Sequence, residues 1–164
     1  MPFTPFHFGP CACVGLPLRK RIDLPVFILS NVVIDLEPGT VMLLGLDLPL
    51  HGFFHSFLIG ALVGLAWACV AWRGRGILKR LMEFFRIPYE TSFKKMVFSG
   101  VLGVWFHVIL DAPLYRDIHP FYPFKFNPFF GILSPSAIYG LSALSFLPAL
   151  VLYALVVRSR FLQK

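Results

Sequence analysis

Two pairs of residues have the types and spacing to hold a metal ion: His51 with His55, and His107 with Asp111. Four positions separate the members of each pair, which on an α-helix puts both side chains on one face. Imidazole nitrogens and carboxylate oxygens grouped in this way are the usual donors to zinc and related divalent ions. His51 and His55 open an apolar segment that runs to Trp72, and His107 and Asp111 close another. Ionisable groups are costly within a bilayer and are usually functional there. The two pairs are therefore expected to face each other.

Four further positions extend the set. His7 opens an apolar stretch, and Asp35 ends another, one helical turn after Asn31. Asp117 and His119 follow in a Pro-rich loop, where contact with a substrate or a second ion is the natural reading; Glu37 is expected to be solvated, or to support a ligand from behind. Each has an ordinary alternative: His51 and His55 could reach towards headgroups, His107 and Asp111 could tie helices together, and Asp35 could cap a helix. As a group, His7, Asp35, His51, His55, His107 and Asp111 exceed the needs of one tetrahedral ion. They fit a dinuclear site, or one ion with a spare group for proton transfer. Asp35 or Asp111 is then expected to orient or deprotonate water, with His51 as a proton donor or a second-ion ligand. Ser56 has histidine neighbours but lacks the context of a nucleophile elbow.

The elements that must position these groups are membrane helices. The 164 residues have a mean hydropathy of +0.76, with 57% hydrophobic and 14% charged residues. A soluble domain of this size could not hide so much apolar surface. The formal net charge of +7 does not point to nucleic acid, because the basic residues sit in the connections between apolar segments. Cys11, Cys13 and Cys69 form no CxxC pair and read as small apolar fillers. Arg19-Lys20-Arg21 follows the first apolar stretch instead of preceding it, which is not the order of a secretory signal.

One integral membrane domain, residues 1–164, is expected. Apolar stretches 4–18, with Thr4-Pro5 as its helix start, and 24–36, stopped at Glu37-Pro38-Gly39, are each short for the roughly 30 Å of a hydrocarbon core. Residues 40–50 read as a connection. Residues 51–72, 96–112 and 137–157 read as three spanning helices. Between them lie a basic amphipathic connection at 73–95, with Phe84 and Phe85 turned into lipid, and a Pro/aromatic interfacial loop at 113–136. On helix 51–72 the stripe Gly52, Ser56, Gly60 and Gly64 contains a GxxxG pattern that favours close helix packing. Ser99 and Gly103 share a face with His107 and Asp111.

Lysine and arginine set the orientation. With 73–95 cytoplasmic, 19–21 and the C-terminal Arg158, Arg160 and Lys164 fall on the same side, leaving only Arg116 and Lys125 of the fifteen outside. The six candidate ligands then come to one face, near the external interface.

Thr4-Pro5-Phe6-His7, Asn31-Val32-Val33-Ile34-Asp35, His51-Gly52-Phe53-Phe54-His55-Ser56 and His107-Val108-Ile109-Leu110-Asp111 occur in an order that resembles the YdjM-like family of bacterial inner-membrane metal-dependent hydrolases. The arrangement also resembles, more distantly, the zinc-dependent phospholipase C and single-strand nuclease superfamily, whose helices hold zinc clusters that hydrolyse phosphoesters. The resemblance implies metal-ligand positions at Asp35, His55, His107 and Asp111, joined by His51 and His7. This chain departs from the soluble enzymes in lacking a second ligand-bearing HxxxD helix, and its last helix offers no ligand.

The expectation is thus an all-α, multi-pass membrane bundle with three clear transmembrane helices and two shorter N-terminal ones. It would be a metal-dependent hydrolase of the inner membrane holding one or two divalent ions, zinc first. A lipid or lipid-linked phosphoester at the outer face is the expected substrate, with the bilayer as partner and no nucleic acid. The alternatives are a non-enzymatic metal- or proton-binding protein or transporter, a haem protein with His55 and His107 as axial ligands, and a structural membrane protein.

Overall fold

The computed structural model describes residues 5–161, and the side chains up to Ser159; the Thr4 helix start and Lys164 lie outside the described residues. The chain is helical, with no strand among the described residues: α1 Pro5–Leu18, α2 Leu24–Ile34, α3 Leu36–Leu44, α4 Phe57–Arg73, α5 Arg75–Phe84, α6 Phe93–Asp111, α7 Pro135–Leu144 and α8 Phe146–Phe161.

Three stretches are long and apolar enough to cross a membrane: Leu24–Leu44, Phe93–Asp111 and Pro135–Ser159. Two of them match the expected 96–112 and 137–157, but the third is not the expected 51–72. The second apolar stretch does not stop at Glu37-Pro38-Gly39 but continues through Asp35 into α3, giving 21 residues. Pro38 is tolerated because it falls in the first turn of α3, where a missing N–H costs little. The connection then begins at Gly45, whose left-handed backbone (φ 59°) closes α3.

The expected helix at 51–72 starts later. Ser56 Oγ accepts from the Ile59 N–H and caps α4, so residues 51–56 are non-helical. What holds them so is the Glu37 carboxylate, which accepts from the Phe54 N–H at 3.2 Å. Gly52 fits against it, since a Cβ there would lie 2.7 Å from Glu37 Oε1. At 17 residues, α4 is about 25 Å long. It bends by 80° into α5, and the two together make a fourth candidate span or a re-entrant pair. As expected for the basic connection, α5 buries Leu78 and Met82 and leaves Ile77, Phe84 and several cations exposed.

Helix α6 packs between α2 and α4, and α1 bridges α2 and α8. Glycine sets the closest approach. A Cβ on Gly64 would lie 2.7 Å from the Gly100 carbonyl, and one on Gly100 would collide with the Gly64 carbonyl. Ser30 Oγ bonds along its own helix to the Val26 carbonyl at 2.7 Å and lies 3.2 Å from the Gly100 carbonyl. Asp23 caps α2 through the Val26 N–H and also accepts from the hydroxyls of Tyr89 and Thr91, which pins the segment before α6 to the start of α2.

Gly100→Val must push α4 and α6 apart backbone from backbone. It is expected to cost about 1–3 kcal/mol or more. Gly140→Ala, where a Cβ meets nothing within 4 Å, serves as the neutral control. Thermal unfolding of the two variants in one detergent checks the difference.

Candidate metal centre

The site lies where α2 passes into α3, the segment before α4 begins and α6 ends. This is the end of α4 and α6 away from the basic stretch 73–95. Asp35 is the joint between α2 and α3, capping one helix and preceding the other. His107 and Asp111 occupy the last turn of α6, on one face as their spacing predicts. His55 sits one residue before the cap of α4.

One ligand atom from each of Asp35, His55, His107 and Asp111 lies within 4.8 Å of all the others. His107 Nε2 is 3.3 Å from both Asp35 Oδ1 and Asp111 Oδ2. His55 Nε2 is 3.8 Å from the same Asp35 oxygen. These four residues are the ones brought together, and they could hold a metal ion.

Their hydrogen bonding supports that fit. His55 Nδ1 faces Glu37 Oε2 at 3.1 Å, which fixes the ring with its Nε2 turned inward. His7 Nε2 holds Asp111 Oδ1 at 3.1 Å and leaves Oδ2 for the cluster. Yet Nε2 of His55 and His107 and Oδ2 of Asp111 are buried without hydrogen-bond geometry to any partner. Buried polar atoms left so cost about 1–3 kcal/mol each. A cation at their centre satisfies them together. The carboxylate behind His55 is also the common outer arrangement of a metal-binding histidine.

His51 and His7 border the four-residue group. In contrast to the expected helical stack, His51 and His55 meet across a turn, with ring centroids 4.8 Å apart and planes at 82°. They still reach one place, because the non-helical segment folds back on Glu37 and Asp117. Asp117 lies 3.2 Å from His51 Nδ1 and accepts the His51 backbone N–H at 3.1 Å. His51 Nε2 is buried and unpartnered. Burial and the neighbouring His55 lower the His51 pKa, an effect that Asp117 only partly offsets. His51 is therefore neutral at pH 7, with its proton on Nδ1 and a lone pair on Nε2. His7 stacks flat on His107, with centroids 4.2 Å apart, and steadies that ring as well as Asp111.

Glu37 supports His55 from behind, the second of its two expected roles, and Asp117 anchors His51, a contact its place in the loop did not foretell. The Asn31 amide, one turn before Asp35, donates to the Phe27 and Ile28 carbonyls and to Cys11 Sγ. His119 lies apart from the cluster, lining a cavity beside it. Sequence reasoning passed over Tyr115, whose ring lies 4.2 Å from that of His51 and whose hydroxyl meets Tyr139. Its position four residues after Asp111 was the only signal, and α6 ends before reaching it.

No family model matches the sequence, and comparison with curated proteins and with solved structures likewise finds no match.

Glu37→Gln keeps the shape but removes the charge behind His55. It is expected to weaken metal binding about 10–100-fold. Competition with a chromophoric chelator measures the change.

Proposed function

We propose that this chain is a membrane-bound, metal-dependent hydrolase of phosphoesters, working at the outer face of an inner membrane. The observation that carries the reading is the buried convergence of Asp35, His55, His107 and Asp111. Zinc is the first choice for two imidazoles and two carboxylates. Such an ion supplies Lewis acidity, making water easier to deprotonate and drawing charge from a phosphoryl group.

The remaining work falls to the protein. Hydrolysis forms a bond from the water oxygen to phosphorus and breaks the ester P–O bond, and the water's proton passes to the leaving alcohol. His51 is suited to carry that proton, since Asp117 fixes its Nδ1 and its Nε2 is open. Asp35 and Asp111 serve as ligands and orient the water, while Glu37 and His7 hold the inner ring and carboxylate in place. The likeness to the YdjM-like family agrees with this reading. So does the charge pattern, which puts the site opposite the basic side of the chain.

The test is to assay zinc-loaded protein, in detergent, against phosphomonoesters and phosphodiesters of alkyl and aryl alcohols. Turnover that disappears with chelator and in Asp111→Asn supports the reading. Metal or proton flux through reconstituted vesicles, with no turnover of any ester, would overturn it in favour of a transporter.

A further inference from the structure

A cavity of about 670 Å³ opens beside the cluster, between α3, the segment 46–54 and the stretch 117–125. Its walls are chiefly apolar, from Leu36, Val41, Leu46, Leu48 and Phe53. These merge with an exposed apolar surface on α3, where Leu43 is 86% exposed. One end differs. There His51, His119 and Lys125 line the space, and Nε2 of His51 and Nδ1 of His119 are buried without a partner. Lys125 is one of only two Lys or Arg residues expected at this end of the chain, and it has no ion pair among the described residues. Glu37 and Asp117 also reach the cavity, but their carboxylates are engaged by His55 and His51.

We propose that this cavity binds an anionic amphiphile, its single long alkyl chain lying along α3 and its phosphate head on Lys125, beside the rings of His51 and His119. The proposal rests on the hydrolase reading for its sense as a substrate site, because His51 belongs to the cavity and also touches the metal cluster. A cleft with apolar walls and a few converging polar groups is the usual form of a small-molecule site. The apolar surface continuing onto α3 gives a chain a path from the bilayer, and the cationic end gives the head a place to stop. A phosphate without a chain would leave those walls empty, and a neutral alcohol would leave Lys125 without its counter-charge.

The full chain, held in lipid nanodiscs with chelator present, is irradiated with decyl phosphate carrying a terminal diazirine, and the adducts are mapped by mass spectrometry. The expected adducts lie on Leu36, Val41 and Leu48, at least about tenfold above those on the lipid-facing Leu141 and Leu147. Excess decyl phosphate suppresses them, whereas inorganic phosphate does not. A charge-assisted contact from Lys125 is worth about tenfold or more, so Lys125→Ala should reduce cavity labelling by that factor. Adducts spread evenly over the lipid-facing belt would overturn the proposal, as would equal cavity labelling by the matching diazirine alcohol. Metal and turnover are not needed for labelling. Cavity adducts without hydrolysis in zinc would therefore sink the hydrolase reading alone, and hydrolysis without cavity adducts would sink this proposal alone.

Discussion

His107→Ala is expected to lower metal affinity by more than the roughly 100-fold that loss of a supporting residue can cause. His107 is the hub of the cluster, since its Nε2 faces both Asp35 and Asp111 at 3.3 Å. Without it, two carboxylates are left close together with a single imidazole, His55. The cluster then has too few neutral donors to enclose an ion, and the carboxylates repel each other. His107→Gln fills nearly the same space and should lose metal to a similar degree while unfolding at a temperature close to that of the wild type. Dialysis against a calibrated zinc buffer, followed by elemental analysis, gives the affinities. Wild-type affinity in both variants would remove His107 from the site.

His51→Ala should behave in the opposite way. The four-residue group does not include His51, so the variant is expected to retain its metal. Hydrolysis should fall about 10²–10⁴-fold, the usual worth of a positioned acid or base. The reason is geometric: Asp117 holds the ring by its Nδ1, leaving Nε2 as the one atom free to exchange a proton. Asp117→Asn should give a smaller loss of the same kind, because the ring remains but its tautomer is no longer enforced. Metal content and turnover measured on one preparation separate the two roles. Loss of metal in His51→Ala would make His51 a ligand instead.

Much of this site could be read in the sequence, though not always for the right physical reason. His107 and Asp111 stand on one helical face as their spacing implied, because α6 runs unbroken to Asp111. His51 and His55 have the same spacing, and they converge through a turn. A four-residue interval is helical only if nothing competes for the backbone, and here Ser56 caps the next helix while Glu37 binds the Phe54 N–H. That competition comes from a residue 17 positions away, which no local pattern reveals. The continuation of α2 into α3 was hidden for a related reason. Glu-Pro-Gly reads as a stop, yet it also suits the first turn of a new helix. That Asp35, His55, His107 and Asp111 gather at one place was legible in their positions at the ends of apolar segments. The outer carboxylates were legible only as candidates, since spacing does not show which histidine a loop residue will meet.

X-ray absorption at the zinc edge, with elemental analysis of the same gently purified sample, tests the metal centre most directly. About one ion per chain is expected, bound only by nitrogen and oxygen at about 2.0–2.2 Å and showing the outer-shell scattering of imidazole. A sample that takes up no stoichiometric metal would contradict the account, and so would a sulfur ligand at about 2.3 Å, which would move the ion to a cysteine.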